Sequence, residues 1–467
     1  MEALMIGVSG MRGTIGGTLT PAVVSQMAAA FAVYLKQNHA PTNGSHIRVV
    51  FGRDSRPSGS FVRDTAIGTL TASGVEVIDL DIVTTPGVAM MVKHLGVDAG
   101  MIATASHNPI QWNGLKLLNS QATALPPEEA EKIKALYDAG AGDFVRVEKF
   151  IQPKKNSETH ALHTKRVLDY VDVLGISTKR FKVVLDSVNG AGCVTSAVLL
   201  SKLGCQVSHL NNTPDGQFPH EPEPTEANLT QLATEVVRQR AAVGFAQDPD
   251  ADRLAIIDEN GVYIGEEYSL VLAARLILSK KPGPTAANLS SSRMLDDIAA
   301  RYGGRVIRTC VGEANVVQAM LREGSTIGGE GNGGVIDPRI VPGRDSLVGM
   351  AYVLQLMAET GKTISQLVAD FPRYEIVKTK FECRREDANR AVEAIKKEFA
   401  HEKVDTQDGI RIDWDNSWVH ARPSNTEPIM RIIAEAPDRA SAEKRIAAVQ
   451  AVVDRVLHDP SSRRVAS

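Results

Sequence analysis

From residue 47 to about residue 357 of this 467-residue chain, short runs rich in β-branched residues alternate with segments of helical period. This alternation restricts the fold more than any other feature, because strands separated by helices pair in parallel and bury both faces. Ile47 to Phe51 is apolar and β-branched. Ser58 to Ser73 then places Val62, Ala66 and Leu70 at i, i+4 and i+8, and Val75 to Leu80 returns to a strand. A chain this long exceeds one core, so several units are expected. The first spans 1–153 and ends in a linker, Pro153-Lys154-Lys155-Asn156. The second, 154–260, carries the strand Val183 to Asp186 and a helix to Leu203. Between them Asn189-Gly190-Ala191-Gly192 lacks the full dinucleotide-binding spacing and reads as a tight turn. Pro214 to Pro224 reads as an exposed, proline-rich connection. The third unit, 261–372, has helices over Leu270–Leu278 and Leu347–Met357 and a strand at Val306-Ile307. These three units share a rhythm of strand, polar turn and helix without residue-level repetition. The last, 373–467, differs: a strand (Ile376–Phe381), a helix (Ala388–Phe399), several strands and a long helix (Ala440–Leu457) predict an α+β, largely antiparallel unit.

Composition narrows the function classes. A hydrophobic fraction of 43% and a charged fraction of 23% are those of a globular chain. The net charge of −3 offers no basic field to recruit nucleic acid or an anionic membrane, so any anion binding must be local. No apolar run reaches the roughly 18 residues of a membrane span, and the N-terminus has no signal-peptide pattern. Cys193, Cys205, Cys310 and Cys383 lack CxxC spacing, which predicts reduced thiols and a cytoplasmic setting.

Four polar loops carry the chemistry. Thr104-Ala105-Ser106-His107-Asn108-Pro109 follows the apolar run Met101-Ile102-Ala103, placing Ser106 in a turn at the carboxyl end of a strand. Alone it could be an ordinary turn serine. Asp248-Pro249-Asp250-Ala251-Asp252-Arg253 is wedged between Val243–Ala246 and Leu254–Ile257. Three alternate carboxylates repel one another unless a cation neutralises them, and an all-oxygen donor set suits Mg²⁺. Gly328-Gly329-Glu330-Gly331-Asn332-Gly333-Gly334 permits close backbone approach and supplies a carboxylate and an amide for sugar hydroxyls, or is merely a flexible loop. Arg422-Pro423-Ser424-Asn425-Thr426-Glu427-Pro428, between the apolar runs Trp418–Ala421 and Ile429–Ala434, combines a guanidinium, hydroxyls and an amide into a plausible phosphate cradle, or a polar hairpin turn.

Together, and in this order, the four loops resemble those of the α-D-phosphohexomutase family over essentially the whole chain. Gly7-Val8-Ser9-Gly10-Met11-Arg12-Gly13, Gly52-Arg53-Asp54-Ser55-Arg56 and Thr85-Pro86 are similar to further family signatures. The resemblance implies an α/β fold: three related α/β domains with mixed sheets plus a smaller α+β C-terminal domain, around a central active-site cleft. It implies that Ser106 carries a phosphoryl group, and that one Mg²⁺ is held by Ser106, Asp248, Asp250 and Asp252. Arg12, Lys116, His107 and Arg253 then complete the catalytic set. Glu330 and Asn332 would grip sugar hydroxyls, while Arg422, Ser424, Asn425 and Thr426 would hold the other phosphate. The partners implied are small sugar phosphates, with a bisphosphorylated hexose as primer and intermediate.

The chain departs from family members acting on glucose and mannose phosphates. Asn332 replaces a serine, Gly334 stands at a histidine position and Ser290 at a lysine position. Val311-Gly312-Glu313 replaces Thr-Gly-His and is more similar to the phosphoglucosamine mutase branch, though Gly-Glu-Gly-Asn-Gly-Gly differs from that branch too. Glu313 could face a substrate ammonium, or could simply begin a helix. Glucosamine 6-phosphate to glucosamine 1-phosphate is therefore the expected reaction, with glucose or mannose phosphates as the alternative. The rivals in other classes are a metal-dependent sugar phosphatase and a non-catalytic sugar-phosphate binder. Nothing in the sequence sets an oligomeric state.

Overall fold

The computed structural model of the protein describes residues 4–7, 10–41, 46–424 and 429–458. Its architecture is α/β, with three mixed sheets followed by an antiparallel one. The first sheet runs in the order Met5–Gly7, Gly10–Thr14, Trp112–Asn119, Ala99–Ala103, Arg48–Arg53, Glu76–Ile82, Lys154–Lys155. Its last four strands are parallel, and Trp112–Asn119 joins Ala99–Ala103 antiparallel. The second sheet is ordered Leu254–Ile257, Val243–Gln247, Lys182–Asp186, Gln206–Leu210, and the third Gly334–Ile336, Ile327–Glu330, Pro284–Asn288, Arg305–Thr309. In both, three parallel strands end in one antiparallel partner.

One topological unit therefore occurs three times. In each, the third parallel strand turns back into an antiparallel neighbour, and the connection between them is one of the polar loops: 104–111, 248–253 or 331–333. The carboxyl end of a parallel strand is where such folds expose backbone and side chains to ligands.

The linker expected at 153–156 is instead partly sheet. Lys154 and Lys155 pair in parallel with Ile78 and Asp79 at the edge. Backbone pairing needs no apolar side chain, and edge lysines stay solvated while discouraging further pairing. The connection expected to be exposed at Pro214–Pro224 is likewise anchored. Gly216 lies so close to the Ser55-Arg56 backbone that a Cβ there would sit 2.4 Å from the Ser55 carbonyl oxygen, and the Phe218 ring lies 5.0 Å from the Arg56 guanidinium.

The first three units share one apolar core, from Val50 through Phe245 to Phe371, around the buried helices Tyr268–Lys280 and Ser346–Thr360. The C-terminal unit has its own core, built from the helices Arg385–Glu398 and Arg439–His458 on a five-stranded antiparallel sheet. All four cysteines are free thiols, Cys193 and Cys383 being buried. No described helix is long and apolar enough to cross a membrane.

Candidate active site

Buried polar groups hold the backbone of the serine loop. Ser106 has φ +51°, a left-handed conformation that is costly for a side-chain-bearing residue. The Thr104 hydroxyl offsets that cost by accepting from the Ser106 N–H at 2.9 Å while donating to Asp54 at 2.7 Å. The fully buried Arg56 pairs with Asp54 at 3.0 Å. Its remaining N–H groups donate to the carbonyls of Ser106, Asn108, Pro109 and Trp112 at 2.6–3.1 Å. Ser106 Oγ, 1% exposed, then donates across the unit boundary to Asp248 Oδ2 at 2.8 Å. His107 Nδ1 lies 3.4 Å from the same oxygen. Burial, then Arg253 and Arg12, push the His107 imidazole down to about 3, so it is neutral near pH 7. Arg12, on the strand Gly10–Thr14, donates to Asn108 Oδ1 at 3.3 Å.

The aspartate loop turns through Ala251 at φ +56° and gathers three fully buried carboxylates, with ligand oxygens within 4.8 Å of one another. Asp248 Oδ1 accepts from the backbone N–H groups of Asp252 and Arg253, both at 3.1 Å. Thr85 donates its hydroxyl to Asp250 Oδ2 (2.6 Å) and its backbone N–H to the Asp250 backbone carbonyl (3.0 Å). Lys116 Nζ reaches Asp250 Oδ2 at 2.6 Å and Asp252 Oδ2 at 3.2 Å. After these contacts Asp250 Oδ1 and Asp252 Oδ1 remain buried without a partner. Orphaned carboxylate oxygens in an all-oxygen cluster fit a hard divalent cation. Burial raises Asp248, reinforced by Asp252 and Asp250. For Asp252 burial also raises the pKa, but Arg344, Lys116 and Arg253 outweigh it and the net shift is down. For Lys116 burial lowers the pKa, yet Asp250 and Asp252 prevail and hold the ammonium charged. Arg253 lies 3.9 Å from Asp252 and 3.8 Å from Glu223, at ion-pair range only.

The glycine segment is a tight hairpin between Ile327–Glu330 and Gly334–Ile336, tied to the aspartate loop by the Leu254 N–H donating to Gly333 O at 3.0 Å. Glu330, 4% exposed, accepts from Asn288 Nδ2 (2.9 Å) and Gly312 N–H (3.1 Å) on one oxygen and from Arg344 (3.0 Å) on the other. Asn332 Oδ1 is buried without a partner. Glu313 opens the helix Glu313–Glu323, and its carboxylate accepts from the Arg344 backbone N–H at 3.1 Å. Burial raises Glu313, with Arg344 opposing.

Arg344 itself is a site residue that sequence reasoning missed. It sits in Pro342-Gly343-Arg344-Asp345, just before the helix Ser346–Thr360, which Asp345 caps through the Leu347 N–H at 2.9 Å. A single arginine beside a helix cap reads as solvated. Its neighbours Asp252, Glu313 and Glu330 are distant in sequence and offer no local signal.

Arg422 lies on the strand Ser417–Pro423 rather than in the loop after it, because pairing with Arg431 extends the ladder. Its side chain is 12% exposed and donates to Asp408 Oδ2 at 3.4 Å. Asp408 Oδ2 also accepts from the Val311 N–H at 3.0 Å, linking this strand to the loop before Glu313. The Ser424 N–H donates to Ile429 O at 2.8 Å. Asn425 and Thr426 lie outside the described residues. The structure thus brings Ser106, His107, Arg12, Lys116, Asp248, Asp250, Asp252, Arg253, Glu313 and Glu330 into one contiguous polar cluster, and Arg422 reaches it through Asp408. A cavity of about 470 Å³ between Asp79–Val83, Lys155–His160 and Ala191–Val194 shares no residue with this cluster.

Profiles of phosphoglucomutase/phosphomannomutase match along the chain: alpha/beta/alpha domain I over 3–142, domain II over 161–261, domain III over 265–374 and the C-terminal domain over 379–452. A probable phosphoglucosamine mutase of Methanopyrus kandleri is 36% identical, over 94% of this chain and 95% of its own. A phosphoglucomutase/phosphomannomutase of Thermococcus kodakarensis is 37% identical, over 94% of this chain and 96% of its own. A crystal structure of a phosphoglucomutase/phosphomannomutase family protein from Burkholderia thailandensis superposes with a TM-score of 0.83 at 25% identity, covering 99% of both chains.

Proposed function

Because this chain belongs to the phosphoglucomutase/phosphomannomutase family and is a phosphohexomutase, an isomerase, we propose that it interconverts glucosamine 6-phosphate and glucosamine 1-phosphate through a phosphoserine at Ser106. The observation that carries the phosphoserine step is the Ser106 Oγ contact with Asp248 across the unit boundary at 2.8 Å, beside two carboxylate oxygens without hydrogen-bond partners, while the glucosamine part rests on the relatives' names. Asp248, Asp250 and Asp252, with an oxygen on Ser106, would hold one Mg²⁺. That ion supplies the positive charge which offsets a phosphoryl group of about −1.5 to −2.

The chain's own groups account for the rest. Arg56 and Thr104 fix the Ser106 backbone, so the nucleophilic oxygen is placed before substrate arrives. Arg12, Lys116 and Arg253 bring charge to the transferring group. Neutral His107 can accept or donate one hydrogen bond at Ser106 Oγ. The phosphoryl group leaves Ser106 for the free hydroxyl of a sugar monophosphate. The bisphosphorylated sugar reverses end for end, and its other phosphoryl group returns to Ser106. Arg422, Ser424, Asn425 and Thr426 would hold whichever phosphate is not transferring, while Glu330 and Asn332 would hold hydroxyls. Burial of Ser106 supports transfer over hydrolysis, since water reaching phosphoserine would make the protein a phosphatase. A phosphatase would release inorganic phosphate without isomerisation.

A second reading, a preference for glucose or mannose phosphates, is favoured by Glu313. Its carboxylate begins a helix and lies 3.2 Å from Arg344 Nε, so its charge is already compensated. A coupled assay over glucosamine, glucose and mannose phosphates separates the two. Under the first reading glucosamine phosphate turns over fastest and Glu313→Gln erases that preference. Faster turnover of glucose or mannose phosphates, or an unchanged preference in Glu313→Gln, rejects glucosamine recognition by Glu313.

A further inference from the structure

We propose that Arg344 is a positioning residue that couples cation binding at the aspartate loop to the grip of the glycine hairpin on the sugar; this rests on the reading of those two loops given above. A guanidinium presents five N–H donors in a rigid planar fork. In Arg344 the fork is spread over three carboxylates from two units. One arm donates to Asp252 Oδ2 at 2.7 Å and the other to Glu330 Oε2 at 3.0 Å. Nε lies 3.2 Å from Glu313 Oε2, a charge contact without the alignment of a hydrogen bond, and the backbone N–H closes on the other Glu313 oxygen at 3.1 Å.

The geometry divides Asp252 into two halves. Arg344 and Lys116 hold Oδ2, while the buried Oδ1 has no hydrogen bond, only Arg253 Nε at 3.9 Å, and is left for a cation. Arg344 therefore orients a carboxylate ligand from behind, the arrangement by which outer partners tune metal affinity. The same side chain fixes Oε2 of Glu330, while Asn288 and Gly312 already fill Oε1, so a sugar hydroxyl would take the one lone pair left on Oε2. A shift of Asp252 toward a cation must move the fork, and the fork carries Glu330 and Glu313 with it.

The hairpin is shaped for this side chain. A Cβ at Gly334 would lie 2.2 Å from Arg344 Cδ, so glycine at that position leaves room for the arginine stem. Lysine would keep one positive charge but could not span three carboxylates in one plane.

The test is calorimetric titration of the full chain with Mg²⁺, with and without saturating glucosamine 1-phosphate, and the reverse titration. In the wild type each ligand should tighten the other by the same factor, as linkage requires. Arg344→Lys should weaken Mg²⁺ binding about 10–100-fold and bring the mutual factor close to one while the thermal midpoint is retained. Gly334→Ala, which keeps the arginine and displaces its stem, should also lower the factor and decides the matter if Arg344→Lys does not fold. Coupling retained in the folded variants, or a lowered thermal midpoint with coupling intact, overturns the inference and leaves Arg344 as charge compensation only. A wild-type chain that binds neither Mg²⁺ nor glucosamine 1-phosphate overturns the functional reading, and this inference with it.

Discussion

Ser106 is held in a left-handed conformation by Thr104 beside it and by Asp54 and Arg56 from far earlier in the chain. Arg56 is the clearest case: wholly buried, it ties four loop carbonyls and Asp54 together. Removing one partner of a buried ion pair leaves the other uncompensated, at a cost of about 3–5 kcal/mol. Arg56→Met should lose stability on that scale in urea unfolding, and Ser106 should take up less phosphate by peptide mass mapping. A stable, fully phosphorylated variant would refute the bracket. Asp250→Asn removes one of the two orphaned oxygens and should weaken Mg²⁺ binding and slow turnover, and excess chelator should abolish wild-type turnover reversibly. An enzyme indifferent to chelator would remove the cation from the reaction. Arg422→Lys keeps charge but loses the two-pronged fork. It should raise KM for the sugar phosphate while leaving the fold intact, and unchanged kinetics would put the phosphate elsewhere.

At the scale of elements, the three polar loops share one position, the turn from the last parallel strand into its antiparallel partner. That turn is tight in the third unit. Gly333 has φ +85°, and a Cβ there would lie 2.5 Å from the Leu254 carbonyl oxygen, at the point where the hairpin bonds to the end of the aspartate loop. Strain and overpacking each cost on the order of 1–3 kcal/mol. Gly333→Ala should therefore destabilise the chain by a few kcal/mol in urea unfolding. It should also weaken Mg²⁺ and sugar-phosphate binding together, since it separates the two loops. Loss of stability with both affinities unchanged would mean that the hairpin serves the core alone.

Across the whole molecule, three units share a core while the fourth docks through polar contacts. Arg411 donates to the Leu289 carbonyl, and the Arg293 N–H donates to Glu435 at 2.9 Å. His420 Nε2 donates to the Asp408 carbonyl at 2.7 Å, so its Nδ1 accepts from Ser290 at 2.8 Å. Burial, aided by Arg422 and Arg411, pushes His420 down to about 4, with Asp408 opposing. Between that value and the ordinary 6.5, the unfolded chain binds a proton that the folded chain refuses. Stability contributed by His420 is thus full above about pH 6.5 and falls as pH drops toward 4, by at most about 1.4 kcal/mol per pH unit. His107, depressed to about 3, adds a loss of the same sign. Unfolding of His420→Gln followed from pH 7 to 4 should show a shallower acid limb than the wild type, and an unchanged limb would place the titrating group elsewhere.

Sequence alone determined the fold class, the strand ends that carry Ser106 and Asp248–Asp252, and the oxygen-only donor set, because these follow from periodicity and from carboxylate repulsion within a few residues. It also marked Glu330, through its glycine-rich surroundings and through resemblance, and Lys116, through resemblance alone. Other features came only from tertiary structure. Lys154-Lys155 joined a sheet because backbone pairing is indifferent to polar side chains. Arg422 became a strand residue because its partner Arg431 lies across a hairpin. The threefold recurrence of one strand order leaves no residue-level trace, since many apolar sequences satisfy the same packing. Arg344 emerged as the link among Asp252, Glu313 and Glu330 because the Coulomb interaction acts through space: its partners, up to 92 residues away in sequence, come within about 3 Å only once the second and third units have packed.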